Sequence, residues 1–570
     1  MKFSDLAKYF QKLETTASRN TMTEILADLF RKAEKGEIGQ ICYLLQGRTV
    51  PLYEAVEFGI ADKFMIRAIA LAYNKPGDVV TREFGKFGDL GAAAESLHRG
   101  EGKLTVSDVF KLLDTLARVG GQGSQEKKIG LLADLLKGVD GLSARYIARI
   151  PLDKLRLGFS DMTILDALSW MEAEDKSLRP RLEEAYNVRP DIGYIAATVK
   201  SEGVKGLARV KAKVGAPILA ALCQRLPNAD EMIKKMGEVA VEPKYDGVRV
   251  QIHYQKVKSE KLKVQSFSRN LENSTDMFPE LQEVGKQVNA HEVILDSEAA
   301  GLDPATGKLI PFQETMTRKR KHEITRARAS VPLKFFVFDI LYRDGKDLLT
   351  LPLSERRTVL KQTIKKGEIL IVSPQMVTRD AGDIRVFHDE QIKKGLEGAV
   401  VKKWMSPYEP GRKGYSWVKF KEEEGKTGKL TDTIDAVVMG YYRGEGKRSG
   451  FGIGAFLVGV ARGDGFVTVT KIGTGVSDEL WKELQKRLND IKVKDIPKQY
   501  ENVAKMLVPD VWVAPKIVVE IAGDDLTRSP NHGAGIAVRF PRLVRIRQDK
   551  SPREATTVGE IEKMYRQQGK

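Results

Sequence analysis

From residue 1 to about 215, apolar positions recur at helical spacing. Thr23–Lys35, Val106–Val119, Lys127–Gly138 and Asp161–Met171 each set hydrophobic residues three and four apart, which predicts amphipathic helices packed on one another. Gly120-Gly121-Gln122-Gly123 breaks this pattern, and Ser124 ahead of Lys127 and Lys128 restarts it. Near Pro217 the period changes. From Glu238 to about Phe420, the runs Leu262–Phe267, Val293–Asp296, Phe335–Tyr342 and Ala399–Lys402 read as strands with occasional helices between them. The charged tract Lys421–Lys429 reads as a linker. Beyond it Ile434–Tyr442, Ala455–Ala461, Val467–Ile472, Ile517–Ile521 and Leu543–Ile546 are strands separated by glycine-rich turns, which predicts a last all-β region in the form of a small barrel.

These transitions predict a multi-domain α+β chain: an all-α domain to residue 215, an antiparallel-sheet domain at 216–427 and an OB-type barrel at 428–570. A hydrophobic content of 42% supplies ample core, and no uncharged apolar run approaches the roughly 20 residues that span a bilayer. Met-Lys-Phe-Ser-Asp at the start is not a secretory signal, so a cytoplasmic location is expected, associated with the nucleoid, and the protein is expected to be a monomer. Cys42 and Cys223 stand alone and the six histidines are scattered, which excludes a zinc finger. The net charge of +17 favours a polyphosphate partner. In the helical region Arg145, Arg149, Lys154, Arg156 and Ser160 form a group suited to backbone phosphates of a duplex, although any one of them also fits a solvated helix face. Arg318-Lys319-Arg320-Lys321-His322 carries the same two readings.

One stretch invites chemistry: Val241–Val250, Val-Glu-Pro-Lys-Tyr-Asp-Gly-Val-Arg-Val. Val248, Val250, Ile252 and Tyr254 alternate with Arg249, Gln251 and His253, the pattern of a strand with one buried face. Asp246-Gly247 is a tight-turn dipeptide, so Lys244 is expected at a strand end, held by backbone on both sides. A lysine amine attacks only when deprotonated, and a free one has a pKa of about 10.4; desolvation or a nearby cation lowers it. Taken alone, Lys-x-Asp-Gly equally describes a turn bearing a solvated lysine.

Further motifs follow in order: Ser268-Arg269-Asn270, Leu295-Asp296-Ser297-Glu298, Phe338-Asp339, Glu397 through Lys402, and Trp417 through Lys421. Gly123 through Lys128, Arg539-Phe540-Pro541-Arg542 and Arg547-Gln548-Asp549-Lys550 flank them. In type, order and spacing the set resembles the covalent nucleotidyltransferases, and within them the ATP-dependent DNA ligases of archaeal and eukaryotic type, over almost the whole chain.

The resemblance implies an enzyme that seals nicks in duplex DNA, in replication, repair and recombination, with ATP as co-substrate and Mg²⁺ as cofactor. Lys244 would attack the α-phosphate, expel pyrophosphate and pass AMP to the 5′-phosphate of the nick, from which the 3′-hydroxyl displaces it. Glu242 matches the acceptor of the adenine amino group and Phe338 the aromatic that stacks on the base. Glu298 matches the ribose-contacting acid, though Ser297 stands where the family usually has glycine or alanine. Glu397 matches an acid that binds a divalent cation, which Glu298 would share. Arg249, Arg269, Lys419 and Lys421 match cations for the α-phosphate, the ribose or the nick 5′-phosphate. After Tyr-Glu-Pro-Gly the family often has an arginine; here Arg412-Lys413 stands there, and the role falls to Lys413 or shifts by one. Arg539 and Phe540 match a minor-groove contact beside the nick. Lys550, with Arg547, matches the sixth motif, and its action at the triphosphate requires the last domain to close about the linker.

Three rivals remain. A capping guanylyltransferase or RNA ligase shares the lysine motif but has no use for the long helical domain. A silent nucleic-acid-binding scaffold has no use for the acids and cations around Lys244. An NAD-dependent ligase would carry zinc-binding cysteines. No clear sliding-clamp box stands in the helical region, and clamp binding is left open.

Overall fold

The computed structural model describes residues 1–257, 262–303, 306, 308–310, 332–411, 414–420, 432–444, 452–473, 476 and 478–568. The chain divides into two compact units, residues 1–421 and 422–570. Lys413, Lys421, the linker to Lys429 and the basic run Arg318–His322 lie outside the described residues.

In the first unit helix follows helix from Phe3–Glu14 to Ile192–Glu202. The expected helix at Thr23 starts earlier, at Arg19, because the Ser18 side chain caps it by accepting from the Thr21 N–H at 3.3 Å. Leu26, Phe30, Leu113, Leu132 and Ile164, from the predicted apolar stripes, are fully buried in one core. Arg149 departs from the phosphate-contact reading. It is 3% exposed, with Nε 2.9 Å from Asp89 Oδ2 and Nη1 2.9 Å from Glu14 Oε2. Arg145 is bonded to Glu95 at 2.6 Å and Lys154 to Asp62 at 3.0 Å. An interior guanidinium demands its carboxylates, so Arg149 ties three parts of the helical region together rather than facing a ligand.

Two sheets follow. The five-stranded one runs Gln224–Arg225, Trp417–Phe420, Ala399–Lys403, Val239–Pro243, Met376–Thr378. The six-stranded one runs Leu262–Ser268, Val248–Lys256, Glu292–Gly301, Leu333–Arg343, Lys346–Asp347, with Leu370–Val372 also on Leu333–Arg343. The long ladders are antiparallel, as expected; two short pairings, of Gln224–Arg225 and of Leu370–Val372, are parallel.

Two local expectations are corrected. Asp246-Gly247 does not close a hairpin, since Val239–Pro243 and Val248–Lys256 belong to different sheets. Gly247 is required there by close approach: a Cβ would lie 2.3 Å from the Ala299 carbonyl oxygen. Nor is the polar face of Val248–Lys256 open, with Gln251 and His253 at 5% and 0% exposure. Segment 212–218 lies across it. The Ile218 N–H donates to Gln251 Oε1 at 2.8 Å, Gln251 Nε2 donates to the Ile218 carbonyl at 3.0 Å, and the Gly215 N–H donates to His253 Nδ1 at 3.0 Å. Burial pushes His253 down to about 3, so it stays neutral and can accept.

The second unit is strand-rich, built on Ile434–Tyr442, Ala455–Arg462 and Gly465–Ile472 with Val518–Ala522 and Arg542–Ile546. It is not all-β. Helices Asp478–Asn489 and Val558–Gln567 bury Trp481, Leu484, Leu488 and Ile561 against the strands. Positions 481, 484 and 488 have helical spacing, but the charges around them hide it.

Burial pushes Asp89 and Glu14 up, and Arg149 more than offsets it, holding both below their ordinary values of 3.8 and 4.5. The stability they lend is therefore complete above those values and is lost as pH falls through the lowered folded ones. Arg149→Met should cost about 3–5 kcal/mol near neutral pH in urea unfolding followed by helical circular dichroism. That penalty should shrink toward about pH 4, because the stranded carboxyls then take up protons. A penalty independent of pH would mean that only packing was lost.

Candidate active site

Lys244 stands where the chain crosses from one sheet to the other. Its N–H donates to the Gly398 carbonyl at 3.0 Å, its carbonyl accepts from the Glu397 N–H at 3.2 Å, and its Nζ is bonded to Glu397 Oε2. The backbone thus grips the lysine from the segment that supplies its carboxylate. Gly398 sits at φ 119°, and a Cβ there would lie 2.6 Å from the Phe420 carbonyl oxygen, so no other residue fits.

Strand register assembles the rest. In the six-stranded sheet Arg249, Glu298 and Phe336 are directly opposed, with Gln251, Asp296 and Asp339 in the next row. In the five-stranded sheet the rows are Lys419, Val400, Glu242 and then Trp417, Lys402, Ala240. Opposed residues share a face, so each sheet turns a charged face to the groove between them. Its floor is aromatic: Phe338 meets Trp417 edge-on at 5.8 Å, and Tyr245 stacks on Phe336 at 4.1 Å.

The groove's charges are paired. Arg249 Nε and Nη2 donate to Asp296 at 3.0 and 2.6 Å, Nη1 donates to the Ala221 carbonyl at 2.7 Å, and Tyr408 Oη donates to Asp296 at 2.7 Å. The guanidinium lies 5.2 Å from both the Phe338 and Trp417 rings. Burial would lower Arg249, but Asp296 and Tyr408 reverse this and raise it. Lys402 Nζ donates to Glu242 Oε2 at 2.8 Å. Burial raises Glu242, with Lys402 and Arg357 opposing it. Burial also raises Glu298, to about 7; Arg249 and Lys244 pull it down, while Asp296 and Glu397 push it further up. Burial thus works against the charged form of Glu298, while Glu397 is paired with Lys244. Among the described residues no group of three or more His, Cys, Asp or Glu side chains is gathered for a metal.

Lys244, Glu242, Arg249, Glu298, Phe338 and Glu397 thus come together, with Lys419 half-buried on the same face as Glu242. Arg269 is exposed at the rim of a small crevice shared with Pro217, Arg249 and Asp296. Sequence reasoning gave no role to Asp296, Lys402, Tyr408 or Trp417. The signal for two of them was present: an acid and a lysine at alternate strand positions beside Glu298 and Val400 point to the same face as the matched residues.

In the second unit Phe540 is 58% exposed at φ 50°, a strained conformation for an aromatic, with Arg539 5.4 Å from its ring. Asp435 accepts from Arg547 Nη1 at 3.0 Å and from Lys550 Nζ at 2.6 Å.

Comparison with known proteins places this arrangement. Residues 2–169 match the family model "DNA ligase N terminus", 217–421 "ATP dependent DNA ligase domain" and 449–550 "ATP dependent DNA ligase C terminal region". A probable DNA ligase of Dictyoglomus thermophilum is 45% identical, covering 100% of this chain and 98% of its own. DNA ligase 2 of Thermofilum pendens is 39% identical with the same coverage of 100% and 98%. The solved structure named Pmar-Lig_PreS3 shares the fold, with a TM-score of 0.56 at 17% identity over 95% of this chain and 99% of that one. With a lysine clasped by the segment that bears its carboxylate, and with relatives 39–45% identical over the whole chain, the chain is a member of the ATP-dependent DNA ligase family.

Proposed function

We propose that Lys244 is the residue that carries AMP between the two half-reactions of nick sealing. The observation that supports this is the clasp: backbone bonds to Glu397 and Gly398 hold Lys244 at the groove while Glu397 neutralises its charge. In the first step Lys244 Nζ gives up its proton and bonds the α-phosphorus as the bond to pyrophosphate breaks. Glu242 accepts from the adenine amino group, Phe338 stacks on the ring, and Glu298 holds the ribose. Arg249, Arg269 and Lys419, with Lys413 and Lys421, supply positive charge to the phosphates of nucleotide and nick. Arg249 keeps its pose through Asp296, so it acts as a fixed dipole wall rather than a mobile finger.

The donors fit Mg²⁺. Two carboxylates, of which Glu298 is raised chiefly by burial, suit an ion that takes one or two protein oxygens and completes its shell with phosphate and water. Bound by Glu298 and Glu397, it would neutralise phosphate charge during transfer. The substrate is nicked duplex DNA, engaged by a monomer with functional domains at 1–215, 216–427 and 428–570.

Intact mass after incubation with ATP, GTP or NAD in turn, each with Mg²⁺, should show one adenylate from ATP alone. Lys244→Ala should carry none while still binding nicked duplex; an adenylated Lys244→Ala would remove Lys244 as nucleophile.

Lys550→Ala should slow self-adenylation by about 10²-fold, the scale of losing one preorganised charge contact. A nick supplied already adenylated should still be sealed at near wild-type rate, since pyrophosphate has no part in that step. Equal loss of both steps would assign Lys550 to DNA contact or folding.

Phe540, an exposed wedge beside Arg539, should favour A-like geometry at the 3′ side of the nick. Phe540→Ala should raise the release of unsealed adenylated DNA in single-turnover assays; unchanged sealing would count against the wedge.

A further inference from the structure

We propose that Asp435 is an internal competitor of pyrophosphate: its carboxylate holds Arg547 and Lys550 between turnovers and takes them back from the leaving group. This rests on the reading of those two residues as cations that serve the triphosphate. Asp435 lies on the strand Ile434–Tyr442, where Thr556 fixes its backbone from both sides. Its N–H donates to Thr556 Oγ1 at 3.0 Å, and its carbonyl accepts from the Thr556 N–H at 2.8 Å. Arg547 Nη1 donates to Asp435 Oδ1 at 3.0 Å and to Oδ2 at 3.2 Å, while Lys550 Nζ donates to Oδ2 at 2.6 Å. The two cations stand on one turn, closed by the Lys550 N–H at 3.4 Å from the Arg547 carbonyl oxygen, so both reach the same point.

One acid group thus does for two cations what one phosphate group does: it sets two oxygens on a single centre and accepts from both. The neighbouring acids have other tasks. Glu520 Oε2 accepts from Arg545 at 2.6 Å and lies 3.9 Å from Arg547 Nη1. Asp549, 63% exposed, accepts from Arg547 Nε and Nη2 at 2.9 and 2.7 Å, which steadies the guanidinium and leaves Nη1 to Asp435. Arg547 and Asp435 are each only 13% exposed, so water screens their attraction less than that of a surface pair. A triphosphate must displace the carboxylate before it gains either cation. The same exchange in reverse clears the product: pyrophosphate keeps Arg547 and Lys550 only against a tethered carboxylate at high effective concentration. The cost is a weaker grip on ATP. The gain is direction, since pyrophosphate held in place attacks the lysyl adenylate and regenerates ATP.

The test uses the full chain, adenylated beforehand, with Mg²⁺, and measures the concentration of inorganic pyrophosphate that half-saturates the release of AMP as ATP. Wild type, Asp435→Asn, Asp435→Ser, Glu520→Gln and Lys550→Ala are compared. A carboxylate that occupies the cations lowers their apparent affinity by the fraction it leaves free, so both Asp435 variants should half-saturate at about 5-fold lower pyrophosphate. Glu520→Gln should shift by less than about 2-fold, because its carboxylate makes no close contact with either cation. Misfolding lowers rates and cannot tighten this response. An unchanged or weaker response in the Asp435 variants, or an equal gain in Glu520→Gln, overturns the proposal: Asp435 then steadies the cations, or only the total charge matters. The underlying reading is tested apart from it by Lys550→Ala, which should require more pyrophosphate than wild type. If it half-saturates where wild type does, the reading of Lys550 at the triphosphate fails; if it shifts while the Asp435 variants do not, that reading stands and the competitor falls.

Discussion

Two sheets cannot pack through a layer of charged side chains unless each buried charge finds its opposite, because an interior ion left alone costs several kcal/mol. Arg249 with Asp296, Lys402 with Glu242 and Lys244 with Glu397 meet that condition. Their geometry is set by strand register: a one-residue slip in any of these strands would turn its charges out of the groove and its apolar residues in. The site and the packing of the sheet region are therefore one problem with one solution. Gly247 and Gly398 belong to that solution, since each removes a Cβ at a place where backbone must approach backbone.

Complete pairing would leave nothing for a ligand, and here the pairing is incomplete in a directed way. Among the described residues one oxygen of Glu242 has no partner, and Glu298 is raised to about 7 by burial and by its acidic neighbours. Both lie in the groove that holds Lys244, and each calls for a different complement: a hydrogen-bond donor at Glu242, positive charge at Glu298. A nucleotide brought with a cation supplies both at once. The free energy of satisfying them is available for orientation, which is where a phosphoryl-transfer enzyme gains most of its rate.

Periodicity made the helices and most strands legible, because apolar spacing is a local property. The run Ile434–Tyr442 was readable to the residue, and the lysine motif marked Lys244. What stayed hidden depends on distant chain. Lys402 and Glu242 are 160 residues apart, so their pairing follows from register and not from any local pattern. Asp246-Gly247 reads as a turn whichever sheet receives the next strand. Gln251 and His253 look like an open polar face because nothing local announces that segment 212–218 will cover them. Arg149 looks like a solvated cation until Asp89 and Glu14 arrive from elsewhere in the helical region.

The ion pairs of the molecule are graded by exposure, and the grading follows what each must do. Arg356 with Asp339 is sealed at 0% for both side chains, and Lys402 with Glu242 at 2% and 3%; such pairs open only to a ligand that restores every bond. Lys244 and Glu397 are about one-fifth exposed, at 21% and 22%, and Lys550 on Asp435 is 31% exposed. Exposed pairs contribute little stability, because water screens them and replaces a departing partner at small cost. Under the proposed roles, Lys244 must leave Glu397 once per turnover and Lys550 must be released by Asp435. Burying those two pairs as deeply as Arg356 and Asp339 would let them separate only by stranding a buried charge, which the proposed roles of Lys244 and Lys550 do not allow.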